Sequence, residues 1–456
     1  MRKRILFFIL LLPAMLHAQQ RYELTVKEAV DLAFKNVMEI KNAELDYQIQ
    51  EAQNKEISGR ALPQVEGNIS ANHYVKLPQV LFPQSDEGIY AVLKRENLIG
   101  AGVNAPPPVL VPFSFQQPWN FSMGATLTQL LFQPDVFVGL QARKTALQLS
   151  EARLIQTRER IKDSAYKRYY AILIAERQLY YIDEGLERLR KLYYDDSVMY
   201  VNGFAEKLDM DKVQVQINNL TSTRNSIQNV VQMAYAGLKY SIGISQADTV
   251  VLKETLTTAS LKDDILSDSF RYENRPEIRT LEYAKQMQEL DLKRNKLGFI
   301  PTVALTGNYT VNGQGSEFIT SGNTFWINSA FVGINISVPI FDGFQRKYRV
   351  QQSRLNVQKA ENTITNVKQA IDLEQNITKG NLKSALADVD MQERNMLLAE
   401  KVYNATKLKF EQGLGSSFEV LQADADMQTA QSNYFNALYN AIVAKISYQY
   451  SLGQLQ

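Results

Sequence analysis

Few residues of this chain could carry reaction chemistry. Asp195-Asp196 is an adjacent carboxylate pair. Two carboxylates do acid–base work only when both face one substrate. Neighbours on a helix point about 100° apart, so the pair predicts a solvated helix face, not a dyad. Of 2 histidines, only His73 lies beyond the first 18 residues. The chain has no cysteine, so a zinc or catalytic role for His73 lacks its usual partners. It reads as a strand or loop residue. No nucleophile–base set, metal cluster or Gly-rich phosphate loop is evident, so no enzyme activity, cofactor or metal is expected.

Targeting and charge come next. Met1–Ala18 reads as a cleaved secretory signal: Arg2, Lys3 and Arg4, an apolar run Ile5–Leu16, then Leu16-His17-Ala18 before the cut. The short apolar run argues against an uncleaved anchor. Removing three of the 50 basic residues leaves 47 against 48 acidic ones, so the pI near 8.3 gives no reason to expect nucleic acid. Without cysteine, lipid attachment at an N-terminal Cys is excluded. No apolar run of 18 residues follows the signal, so any membrane crossing by the mature chain must be a closed β-barrel.

Proline marks the main elements. None occurs between Pro134 and Pro276, and none after Pro339. Helix interiors exclude proline. The first tract predicts a helix over 135–202, on the order of 100 Å long. It carries Ile172, Leu179, Leu186, Tyr193 and Tyr200 at a spacing of seven. The second tract repeats that ladder with Leu382, Val389, Met396, Tyr403 and Phe410, each 210 residues on. A heptad is the seam of a left-handed coiled coil. Leu62-Pro63-Gln64-Val65 matches Ile300-Pro301-Thr302-Val303 at an offset of 238, and Gly203 matches Gly413 at 210. The chain is a tandem duplication, and the first strand hairpin has about 28 extra residues.

The first repeat, 19–243, therefore holds a helix capped by Thr25 and Glu28 and running toward Ala61, a strand hairpin over 64–132 with an irregular loop over 77–118, the long helix, and a return helix over 206–241. A mixed connector over 244–273 follows. The second repeat, 274–456, holds a strand hairpin over 302–341, a long helix over 343–412 and a return helix over 417–452. The strands alternate. Trp119, Phe121, Met123, Ala125 and Leu127 oppose Asn120, Ser122, Gly124, Thr126 and Thr128; Trp326, Val332, Ile334 and Ile336 oppose Ser329, Gly333, Asn335 and Ser337. Period two with apolar and small polar faces predicts strands between two environments. Ser122, Thr126, Thr128, Asn335 and Ser337 would line a wet lumen. Trp119, Trp326, Phe132 and Phe341 near strand ends would form an aromatic girdle. Four strands cannot close a barrel. Three chains would supply twelve and two would supply eight, so the apolar strand face implies self-association. An ordinary soluble sheet covered by helices is the bland alternative, but it gives no reason for such long helices.

These residues resemble the TolC-like outer membrane efflux proteins, or outer membrane factors, over about Tyr22–Leu455. The resemblance rests on the duplicated unit, the Leu24-Thr25 opening with Glu28, Ala29, Ala33 and Asn36, the Leu-Pro and Ile-Pro starts of strands, and the two Gly turns. Phe410-Glu411-Gln412-Gly413-Leu414 followed by Phe418-Glu419-Val420-Leu421-Gln422-Ala423 is its most specific piece. It implies an α+β membrane protein: a homotrimer whose 12-stranded β-barrel sits in outer membrane lipid and continues into a 12-helix periplasmic α-barrel. It implies a passive exit duct for small molecules, joined to a periplasmic adaptor (membrane fusion) protein and an inner-membrane RND or ABC transporter. A type I protein secretion duct is the alternative within the family. A periplasmic coiled-coil scaffold without a pore is the alternative of another class.

The resemblance also implies sites. The periplasmic aperture falls on Glu419 and Gln422, with Asp426 continuing the Glu419 face. A family lock between a Tyr, an Arg and an Asp falls here on Phe410, Gly415 and Asp209, which cannot form it. Closure is expected instead from heptad packing of Tyr200 and Phe410. Adaptor docking falls on the tips, Asn202-Gly203-Phe204 and Gln412-Gly413-Leu414, where glycine at a helix end also has a purely structural reason.

Overall fold

The computed structural model describes residues 20–254, 270–319, 322 and 324–455. The signal reading, and residues 255–269 of the connector, lie outside the described residues. In chain order the elements are β1 (Arg21–Leu24), α1 (Val26–Asn36), α2 (Met38–Gly59), β2 (Gln64–His73), β3 (Val80–Gln84), α3 (Glu87–Arg95), β4 (Val109–Phe113), β5 (Trp119–Phe132), α4 (Pro134–Val201), α5 (Lys207–Ile242), β6 (Thr249–Leu252), α6 (Pro276–Leu297), β7 (Thr302–Gly315), β8 (Thr324–Ser337), α7 (Gln345–Glu411) and α8 (Ser417–Leu452). The duplication is plain in the lengths: α2 and α6 have 22 residues each, α5 and α8 have 36 each, and α4 and α7 have 68 and 67.

The chain forms two compact units. One contains the segment up to Glu51, Lys144–Gln288 and Leu355–Gln456. Its opening follows from local chemistry. Thr25 Oγ1 accepts from the Glu28 amide at 3.3 Å, and the Thr25 amide donates to Glu28 Oε2 at 2.7 Å. This capping box starts α1. The helix predicted to run on toward Ala61 is instead broken: Val37 is extended, and α2 restarts at Met38. β1 pairs in parallel with β6, Arg21 opposite Thr249 through Leu24 opposite Leu252. The sequence reading missed this pairing.

The core of this unit is a series of clusters along the helices. Leu24, Ala29 and Ala33 pack on Tyr169 and Ile172 of α4 and on Leu238 and Ile242 of α5. Val389 of α7 packs with Phe435, Leu438, Ala441 and Ile442 of α8. Leu192, Val213, Tyr403, Phe410, Val420, Ala423 and Met427 form the cluster nearest the tips. The heptad ladders face these clusters. Ile172, Leu186, Leu382, Val389, Tyr403 and Phe410 are buried, and Leu179, Tyr193 and Met396 are partly buried. Tyr200 departs from the pattern at 45% exposed. In the last turns of α4 the buried residues are Leu192 and Asp196 instead.

The other unit contains Ala52–Arg143 and Glu289–Arg354. Its sheet has the order β2-β5-β7-β8, all antiparallel. β2 and β8 are its edges. The region read as an irregular loop over 77–118 is partly ordered: β3 pairs with β4, and α3 lies between them. Prolines 83 and 112 disguised those strands, because proline is tolerated only where no ladder N–H is needed.

Candidate functional site

Register sorts the strand residues into two faces. Gln64, Glu66, Asn68 and Ser70 of β2 oppose Thr128, Thr126, Gly124 and Ser122 of β5. Those in turn oppose Thr306, Asn308, Thr310 and Asn312 of β7. Asn335 and Ser337 of β8 stand on the same face, opposite Ala304 and Thr302. All five predicted lumen residues, Ser122, Thr126, Thr128, Asn335 and Ser337, thus share one polar face. Asn308 Nδ2 donates to Thr126 Oγ1 at 2.9 Å, and Thr310 Oγ1 donates to Asn308 Oδ1 at 2.6 Å. The opposite face exposes Val65 and Ile69 of β2, Met123 and Leu127 of β5, and Val332, Ile334 and Ile336 of β8.

The aromatic residues fall at the two ends of that apolar face. Trp119 opposes Gly315, and Trp326 opposes Gly313, so the two rings stand on nearby rungs of one end. The Trp326 ring fills the space beside Gly313. Trp119 makes an edge contact with Phe318, with ring centroids 4.9 Å apart. At the other end a bulge between Leu130 and Phe132 resets the alternation. Phe132 therefore joins Val303 on the apolar face, where strict period two would have turned it to the polar face. Phe341 lies beyond β8, exposed, with its ring edge-on to Phe344.

The tips are built alike in both repeats. The Gly203 amide donates to Tyr200 O at 3.0 Å and the Phe204 amide to Met199 O at 2.9 Å; Gly413 and Leu414 donate to Phe410 O and Lys409 O, both at 2.9 Å. These are Schellman ends, which need a left-handed residue. Gly203 has φ +79° and Gly413 +74°, and a Cβ on either would meet nothing. Conformation alone therefore requires glycine there. Asn202 and Gln412 are exposed beside them, and Phe204 and Leu414 project apolar side chains into solvent.

The predicted aperture residues do not all behave alike. Gln422 Nε2 donates to Asp426 Oδ1 at 3.0 Å, one turn apart on α8. The Glu419 amide is capped by Ser416 Oγ at 3.3 Å. Asp209 pairs with Lys212 at 3.2 Å on its own helix, and that ammonium lies over the Phe418 ring. Phe410 is buried as expected, whereas Tyr200 does not join it.

The reading of Asp195-Asp196 as a solvated face fails for Asp196, which is 0% exposed. Ser417 Oγ donates to its Oδ2 at 2.6 Å, and its Oδ1 has no hydrogen-bond partner within the described residues. A local rule about neighbours on one helix could not see a second helix starting against it. A second buried carboxylate went unrecognised. Asp424 is held by Arg188 Nε at 2.6 Å and by Gln428, and Arg188 also lies over the Tyr403 ring. Its signal was present, since Asp424 and Gln431 interrupt the buried stripe of Val420, Ala423, Met427, Tyr434 and Leu438. Burial pushes both carboxyls above the ordinary carboxylate range. Ser417 opposes this at Asp196, and Arg188 opposes it at Asp424.

Comparison with known proteins points the same way. The outer membrane efflux protein model matches residues 272–454, the second repeat. The outer membrane protein TolC of Vibrio cholerae is 20% identical over 83% of this chain and 88% of its own length. By its second repeat the chain is similar to the outer membrane efflux proteins. Another relative, the alkaline protease secretion protein AprF of Pseudomonas aeruginosa, is 20% identical over 72% of this chain and 69% of its own. The crystal structure of the outer membrane protein VceC from Vibrio cholerae superposes with a TM-score of 0.69 at 14% identity, covering 94% of this chain and 96% of that one. The efflux-family fold thus accounts for the four strands and the paired long helices. TolC and VceC of Vibrio cholerae are outer membrane proteins. No helix among the described residues is long and apolar enough to cross a membrane.

Proposed function

We propose that this protein is the passive outer-membrane exit duct of a tripartite efflux system, exporting small molecules. One observation carries the proposal: a four-stranded sheet with two free edges, a shared polar face and an exposed apolar face. Unpaired edges in lipid cost several kcal/mol per unsatisfied group, so such a sheet is completed by copies of itself. Three chains give a closed 12-stranded barrel with the Ser122, Thr126, Thr128, Asn335 and Ser337 face inward and the Trp and Phe rings at the lipid boundaries. The signal sequence delivers the chain, and a sequence without cysteine fits a protein that is not a lipoprotein.

The aperture is the helical end that carries Glu419, Gln422, Asp426 and Asp209. Three copies of Glu419 and Asp426 around an axis concentrate negative charge and favour cations. The exposed tips at Gly203 and Gly413 are the docking points for a periplasmic adaptor, and an inner-membrane RND or ABC transporter supplies the energy. Likeness to AprF favours a second reading, protein export by type I secretion, through the same barrel.

The test is reconstitution. Detergent-extracted protein is expected to run as a heat-modifiable trimer and to conduct in planar bilayers. Phe410→Ala, which empties part of the cluster beside the tips, is expected to raise the open fraction. A water-soluble monomer without conductance would reject the duct.

A further inference from the structure

The polar strand face carries three residues that do not belong on it. Phe325, Ile327 and Phe331 of β8 oppose Gln314, Asn312 and Asn308 of β7, so they stand on the face of Ser122 and Thr126. They are 70%, 51% and 59% exposed. A strand face that lines water has no use for three large apolar side chains, and exposed apolar clusters of this kind mark contact surfaces.

The matching surface is the 77–118 excursion. The β3–β4 hairpin exposes Phe82, Val109 and Phe113 on one face, and it pairs with no other strand among the described residues. A lone two-stranded hairpin is marginal in water and needs cover. Pro83 and Pro112 stand on its two strands, which disfavours further strand addition at its edges. Its cover is therefore a matter of side chains. The excursion leaves the sheet between β2 and β5, and the Tyr74 amide donates to Pro118 O at 2.8 Å where it departs. β2 is one edge of the sheet and β8 is the other. In a closed ring, β2 of one copy lies beside β8 of the next.

We infer that the 77–118 excursion of one copy docks on the outer half of β8 of the adjacent copy, covering Phe325, Ile327 and Phe331 with Phe82, Val109 and Phe113. This rests on the ring proposed above. The occupant is a second copy because the excursion grows out of the one strand that a ring places against β8. The contact staples neighbouring copies and narrows the outer mouth from the lumen side.

The native chain has no cysteine, so paired cysteines test the contact cleanly. F82C/F331C protein, oxidised in intact outer membranes, is expected to give dimer and trimer bands that reductant abolishes. Replacing residues 77–117 by a short Gly-Asn turn is expected to leave the trimer assembled and to raise its conductance roughly twofold or more. A conducting trimer that gives only intrachain linkage, or none, overturns the contact and leaves the duct standing. Equal cross-linking by F82C alone also overturns it, since the excursions would then meet one another. So does quenching of a bimane on F82C by brominated lipid, which would place the hairpin in the bilayer. Failure to form any trimer overturns the contact and the duct together.

Discussion

The two return helices are copies that have diverged in what they bury. Both have 36 residues, and both end in a left-handed glycine, Gly243 or Gly453. α5 buries Val213, Leu220, Leu238 and Ile242. α8 buries residues along its whole length, from Ser417 to Leu452. Their starts differ as well: Glu206 makes no side-chain cap, whereas Ser416 caps α8. Each helix is tied to α4 by an arginine–aspartate pair of similar length. Arg224–Asp183 is 2.5 Å with both side chains about a third to a half exposed, and Arg188–Asp424 is 2.6 Å with the aspartate almost wholly buried. Duplication supplies two equal rods. Burial then makes one an anchor within the chain, and leaves the other with Leu208, Val215, Met233 and Tyr240 exposed for neighbours.

The sharpest way to break this contrast is to remove the two arginines in turn. Arg188→Ala leaves Asp424 buried without its cation and with only Gln428 as partner, and is expected to cost about 3–5 kcal/mol in chemical unfolding of the detergent-solubilised protein. Arg224→Ala removes a solvated pair and is expected to cost less than about 1 kcal/mol. Equal losses would refute the division into anchor and free rod. A smaller effect comes from the caps. Ser416→Ala is expected to cost about 1 kcal/mol and to speed amide exchange in the first turn of α8. Glu206→Ala, which removes no cap, is expected to leave α5 unchanged in the same exchange experiment.

The smallest effect is a pH slope. Asp196 has its pKa raised by burial, so the folded chain holds that proton more tightly than the unfolded chain. The stabilisation is full below the unfolded value near 3.9 and is lost as pH rises through the raised folded value. Asp196→Asn keeps a partner for Ser417 and removes the titration. Thermal midpoints of the variant between about pH 4 and 7 are expected to vary less than those of the native chain. Parallel curves would assign the slope to other groups.

The repeat, the helix lengths and the strand faces were legible because each depends on short-range periodicity. Thr25 with Glu28 and the glycines at 203 and 413 were legible for the same reason: the residue type answers a local backbone need. The ordered hairpin inside 77–118 was not, because its prolines mimic an irregular loop. Tyr200 was misplaced because a fixed heptad takes no account of what the last turns of α4 meet, where Leu192 and Asp196 are the buried residues.

What the sequence determined by itself was the pattern: two rods, two returns and two hairpins, with apolar residues at the spacing each element requires. What only the tertiary structure decided was which polar groups lie inside it. Asp196 and Asp424 look like surface carboxylates in the chain, and both are buried because Ser417 and Arg188 arrive from elements more than 200 residues away. Periodicity records how a segment meets an average neighbour; desolvation of a charge depends on the particular one.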